Sequence, residues 1–148
     1  ALIPAAAVAG VVGGGVWAVR NRPGAAVDTF WVSHSSEAFA EVTGAGRVVV
    51  LDCTADWCLN CKAREAAVLN REPVKSMLLS EGVVPMKADL TSASAPGWDT
   101  LRELGRTGIP TLAIFGPGLD EPWIANAYTS DSVSAAIAGA RGTPIARR

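Results

Sequence analysis

Val48-Val49-Val50-Leu51 is a continuous run of apolar, mostly β-branched residues, the pattern of a strand buried on both faces of a sheet. The flanking segments alternate between strand-like runs and helical spacing. Thr29 to Val32 is a short strand candidate, and Ser35 or Ser36 can cap a helix carrying Ala38, Phe39 and Val42 until Gly44 and Gly46 end it. A helix is expected from Cys58 to about Leu69, breaking near Pro73, with Val74, Met77 and Leu78 at helical spacing beyond it. Val83 to Ala88 reads as a strand, Asp89 to Gly97 as a Ser/Ala/Thr loop, and Leu101 and Leu104 lie on a short helix. Thr111 to Phe115 is a strand, Gly116-Pro117-Gly118 a turn, and Trp123 to Tyr128 a last strand. Val133, Ala136, Ile137 and Ala140 repeat at i, i+3, i+4, i+7 and predict a closing amphipathic helix. The order βαβαβαββα predicts an α/β domain with a mixed central sheet flanked by helices, over residues 28–141.

Ahead of this domain the pattern changes. Residues Ala1 to Val19 carry no charge, and Arg20 and Arg22 end the run. Nineteen residues approach the ~20 that cross a bilayer, although ten of them are Ala or Gly, which makes the stretch weakly hydrophobic. Residues 1–20 are expected to be a membrane span or its end, with a remnant signal or a soluble tail as the alternatives. Residues 21–27, with Pro23 and Gly24, read as a linker, and 142–148 as a tail. The chain opens on Ala rather than Met and is expected to be part of something longer. At 148 residues and 49% hydrophobic, it fits one compact domain plus this appendage. A net charge of −1 with scattered basic residues excludes nucleic acid as the expected partner.

The candidate chemistry lies where the central strand hands over to a helix, at Ala55-Asp56-Trp57-Cys58-Leu59-Asn60-Cys61-Lys62. The first cysteine falls at the helix N-terminus, where unpaired N–H groups and the helix dipole favour a thiolate. The second lies one turn on and can close a disulfide. A zinc half-site is the competing reading, but a closed zinc site takes four ligands, and only Cys53 and His34 remain as further Cys or His donors. Asp52 ends the buried run, a costly place for a carboxylate without a task. Cys53 points to the opposite face from Asp52 and reads as a buried, inert thiol. Glu65 shares a helix face with Cys61; a surface pair with Lys62 would leave the same trace. His34 sits in a Ser-rich loop and is expected in solvent, while Trp31, Trp98 and Trp123 read as packing or surface residues.

Val48 to Lys62, together with Gly108-Ile109-Pro110-Thr111, resembles a thioredoxin fold. The wording Leu51-Asp52-x-x-Ala55-Asp56-Trp57-Cys58-x-x-Cys61-Lys62 is similar to the C-terminal domain of the transmembrane thiol:disulfide interchange protein family DsbD. That resemblance implies a disulfide reductase in which Cys58 is the attacking thiolate and Cys61 the resolving thiol. It implies that Asp52 exchanges the proton of Cys61, that Glu65 helps tune the cysteines, and that Pro110 is a cis-proline holding the Ile109 backbone beside the disulfide. Trp57 is expected to shield the site and, with Ile109 and Pro110, to meet the partner. The thiols hold the electrons, so no cofactor is implied. The implied partners are protein disulfides and dithiols and an upstream membrane dithiol carrier, with the domain attached to the inner membrane through residues 1–19 and facing the periplasm. Arg20 and Arg22 point the other way, since positive charge after a span favours the cytoplasm. Leu59-Asn60 matches neither the Gly-Pro of thioredoxin nor the Pro-His of the oxidant DsbA, so the direction of electron flow stays open. A stand-alone membrane-anchored thioredoxin-like protein, an oxidase or isomerase, and a non-catalytic or zinc module remain the alternatives.

Overall fold

Five strands form one sheet around the apolar run: β1 (Val32–Ser33), β2 (Val48–Thr54), β3 (Val83–Asp89), β4 (Thr111–Phe115) and β5 (Trp123–Ala125). The computed structural model describes residues 30–142, so the expected span over 1–20, the linker over 21–27 and the chain beyond Gly142 lie outside the described residues. Among the described residues no helix is long and apolar enough to cross a membrane. The strand order is β1-β3-β2-β4-β5. Strand β3 runs parallel to β1 and β2, whereas β4 is antiparallel to β2 and β5. Strand β2 therefore has neighbours on both edges and layers on both faces, and all seven of its residues are buried. That is why its sequence shows no polar alternation.

Helices α1 (Ser36–Gly44), α2 (Leu59–Arg64), α3 (Val74–Leu78), α4 (Gly97–Glu103) and α5 (Ser130–Ala140) complete the fold. The two-residue pleat sorts β2 between the layers. Val49, Leu51 and Cys53 join Val84, Met86, Ala88 and Leu101, against which Phe39, Val42 and Trp98 pack. Val50, Asp52 and Thr54 face the other way. Ser35 caps α1 by accepting the Ala38 N–H at 3.1 Å, and Gly46, at φ +71°, turns the chain back toward β2. The four positions expected to face inward on the closing helix, Val133, Ala136, Ile137 and Ala140, are all buried.

Three elements depart from the sequence pattern. The first strand is Val32–Ser33, with Phe30 and Trp31 outside it, while Thr29, where the pattern begins it, lies outside the described residues. The helix begun at Cys58 does not stay α-helical to Leu69: after Arg64 it widens into a π-helical turn, Glu65–Leu69, closed by the Asn70 N–H on the Glu65 carbonyl at 2.8 Å. It then stops ahead of Pro73, which follows a cis peptide bond. The last strand ends at Ala125 instead of Tyr128. There the Asn126 amide leaves the ladder and donates to the Pro110 carbonyl (2.9 Å) and Thr111 Oγ1 (2.8 Å).

Candidate active site

The buried end of β2 places Cys58 as the residue that caps α2. Its Sγ accepts the Cys61 N–H at 3.2 Å, and its carbonyl accepts the Lys62 N–H at 3.2 Å. Cys58 and Cys61 are joined in a disulfide with Cα atoms 5.2 Å apart. Cys58 is 6% exposed and Cys61 1%. An incoming sulfur therefore meets Cys58 first, and the same helix N-terminus favours the thiolate that forms there on reduction.

On the face of β2 that carries Asp52 and Thr54, a buried charged cluster forms with Glu65 of the turn after α2. Asp52 is 1% exposed, and burial pushes its carboxyl up to about 7. The charge of Glu65 adds to that rise, while Lys87 and Lys62 oppose it. Glu65 is itself 5% exposed. It accepts from Thr54 Oγ1 at 2.9 Å and from Lys87 Nζ at 3.0 Å, while Lys62 Nζ stands 3.9 Å away. The pair with Lys62, the competing reading of this residue, is thus a minor contact, and Glu65 turns inward because a cation and a hydroxyl on the sheet receive it. Sequence reasoning missed both of these partners. Lys87 sits in register beside Asp52 on β3, and Thr54 lies two residues beyond Asp52, on the same face. The one available signal was a lysine inside an otherwise apolar strand.

Around the disulfide, Trp57 is 57% exposed with its indole N–H donating to the Thr91 carbonyl at 3.0 Å. That bond holds one edge of a ring that is otherwise largely exposed. Leu59 is exposed beside it. Ile109 packs against the cluster that contains both cysteines, and the Ile109–Pro110 peptide is cis. Pro110, Asn126 and, across from them, Asn60 and Arg64 line a groove of about 400 Å³. Cys53 is fully buried, and desolvation pushes its thiol up to about 12. His34, expected in solvent, is half-buried with its ring 5.9 Å from that of Phe39, and burial lowers its pKa. Trp31 lies with its ring 5.1 Å from Lys87 Nζ, and the Trp98 indole donates to the Ser92 carbonyl at 2.9 Å. Trp123 lies in β5, half-buried opposite Ile114. Among the described residues no group of three or more His, Cys, Asp or Glu is disposed to hold a metal ion.

The model of the thioredoxin-like family matches residues 30–117. The chain belongs to the thioredoxin-like family. The thiol:disulfide interchange protein DsbD of Yersinia enterocolitica is 38% identical over 78 residues, which are 52% of this chain and 13% of that protein. DsbD 1 of Pseudomonas aeruginosa is 34% identical over 84 residues, 57% of this chain and 14% of the relative. The chain therefore spans a small part of the curated relatives it matches. Among solved structures, the oxidised C-terminal domain of Neisseria meningitidis DsbD superposes with a TM-score of 0.51 at 24% identity, covering 71% of this chain and 95% of that one. A thioredoxin from Thermus thermophilus gives a TM-score of 0.55 at 17% identity, covering 74% and 85%. These two likenesses speak to the fold. With the Cys58–Cys61 disulfide at the helix N-terminus, this member of the family carries the cysteine pair of a thiol–disulfide oxidoreductase and is similar to DsbD over about half of its own length.

Proposed function

We propose that the domain is a protein-disulfide reductase, relaying electron pairs from a membrane dithiol carrier to disulfides of partner proteins on the periplasmic side of the inner membrane, with residues 1–19 as its tether. The observation that carries this reading is the Cys58–Cys61 disulfide at the N-terminus of α2, with a buried carboxyl, Asp52, raised to about 7 near the end of the strand that leads into it. In the reduced domain the Cys58 thiolate attacks one sulfur of a partner disulfide, forming a mixed disulfide and releasing one partner thiolate. Cys61 then gives its proton to Asp52 and attacks Cys58 Sγ. The Cys58–Cys61 bond forms, the second partner thiolate leaves, and two electrons have passed to the partner. An upstream dithiol restores the reduced pair by the reverse sequence. The thiols themselves carry the electrons, so no other cofactor is assigned.

A proton acceptor works best near the operating pH, and burial brings Asp52 there. Glu65, through its charge, is the residue that adjusts Asp52. Trp57 and Leu59 offer exposed apolar surface to the partner, and the Ile109–Pro110 backbone offers an edge to an extended chain. The test is trapping. The Cys61→Ser variant, reduced and mixed with insulin, is expected to accumulate a mixed disulfide through Cys58, whereas Cys58→Ser accumulates none. Trapping through Cys61 in the Cys58→Ser variant, with none through Cys58, would overturn the assignment of roles.

A further inference from the structure

Asp52 Oδ2 and Tyr128 Oη are both buried without a hydrogen-bond partner among the described residues. One is an acceptor on a residue 1% exposed, the other a hydroxyl on a residue 4% exposed, and burying either alone is costly. The two belong to one neighbourhood. Asp52 is in register with Leu112, and Leu112 with Ala125, so a single cross-strand row leads from Asp52 to the end of β5, three residues before Tyr128. Tyr128 is also tied to the helix that carries Cys61. Arg64 Nη1 donates to the Tyr128 carbonyl at 3.0 Å, and the Arg64 guanidinium lies 5.8 Å from the ring centroid.

We propose that Tyr128 is a positioning residue for the proton step, its hydroxyl donating toward Asp52 Oδ2 across one buried water. This rests on the reading of Asp52 as the proton acceptor of Cys61. Burial and the neighbouring charges of Asp52 and Glu65 hold the phenol well above its ordinary pKa, so it remains a donor throughout the working range. Bridged in this way, each oxygen gains the partner it otherwise lacks and the water gains two, the minimum a buried water needs. A donor directed at a carboxylate favours its charged form, which counters the rise that burial imposes. The other groups bearing on Asp52 are Glu65 on the π-helical turn, Lys62 on α2, Lys87 on β3 and the Cys53 thiol next to it; Arg64 is the cation at Tyr128.

Tyr128→Phe removes one oxygen and keeps the ring beneath Arg64. In the oxidised chain, the Asp52 carboxyl followed by carbon NMR is expected to titrate about one pH unit higher in this variant. The pH profile of the Cys61 resolving step, read as decay of the mixed disulfide, is expected to move by the same amount. The variant is also expected to lose stability at pH 8 and far less at pH 5, where Asp52 is protonated in both proteins. An unchanged Asp52 midpoint, with stability equal to or above wild type at both pH values, is the signature of an unpaired buried hydroxyl and overturns the proposal. Asp52→Asn separates the two failures. If it flattens the pH profile while Tyr128→Phe leaves that profile in place, only the role of Tyr128 falls; if it changes nothing, both readings fall.

Discussion

Replacing Asp52 by asparagine is expected to stabilise the oxidised protein, by an amount that depends on pH in a defined way. The wild-type carboxyl titrates at about 7 in the fold against an ordinary aspartate value of 3.8. Between those two values the unfolded chain has released the proton and the folded chain still holds it. Stability therefore falls as pH rises through this window and levels off above about 7. At ~1.4 kcal/mol per pH unit, the loss comes to roughly 4 kcal/mol. Asparagine does not titrate, so the difference in unfolding free energy between Asp52→Asn and wild type isolates this one group from the other ionisations. Urea titrations at half-unit steps from pH 4 to 8.5 supply that difference. It should climb in favour of the variant by roughly 4 kcal/mol between pH 4 and 7 and then run flat. A difference that is flat across the whole range, or that climbs in favour of wild type, would refute the claim that burial holds this carboxyl protonated.

Two further substitutions probe the scaffold of the site. Lys87→Met removes the cation 3.0 Å from the buried Glu65 and should cost about 3 kcal/mol of stability in urea. Because the Lys87 charge lowers the Asp52 pKa, the same variant should titrate Asp52 above 7 by carbon NMR. Gly118→Ala places a Cβ against the Gly139 carbonyl and the Gly142 backbone, which cannot yield as a side chain would. Its thermal midpoint should drop by several degrees, equivalent to about 2 kcal/mol, with the reduction potential unchanged.

The strands that form the centre of the sheet were legible because burial on both faces leaves an apolar run, and β2, β3 and β4 appear close to where the pattern puts them. The closing helix was legible because only one of its faces is buried. What the sequence conceals is long-range. The end of β5 is set by Asn126 reaching back to Pro110 and Thr111, fifteen or sixteen residues earlier, and no local pattern reports such a bond. The widening after Arg64 accompanies Glu65 turning toward Thr54 and Lys87, eleven and twenty-two residues away. At the site, the cysteine spacing and the misplaced carboxylate at Asp52 were visible in one dimension. The fate of Glu65 was not, since a surface pair with Lys62 and a buried pair with Lys87 leave the same local sequence. Tyr128 read as the end of a strand, and nothing around it in the chain reveals that its hydroxyl is buried.

The central claim is that Cys58 and Cys61 donate electrons, and the reduction potential of that pair tests it most directly. Equilibration of the purified chain against glutathione at pH 7, with the dithiol and disulfide forms separated after acid quenching, gives the value. The account predicts a potential near or below about −200 mV, on the thioredoxin and glutaredoxin side of the scale. A potential near about −120 mV, where DsbA lies, would contradict it and make the domain an oxidant.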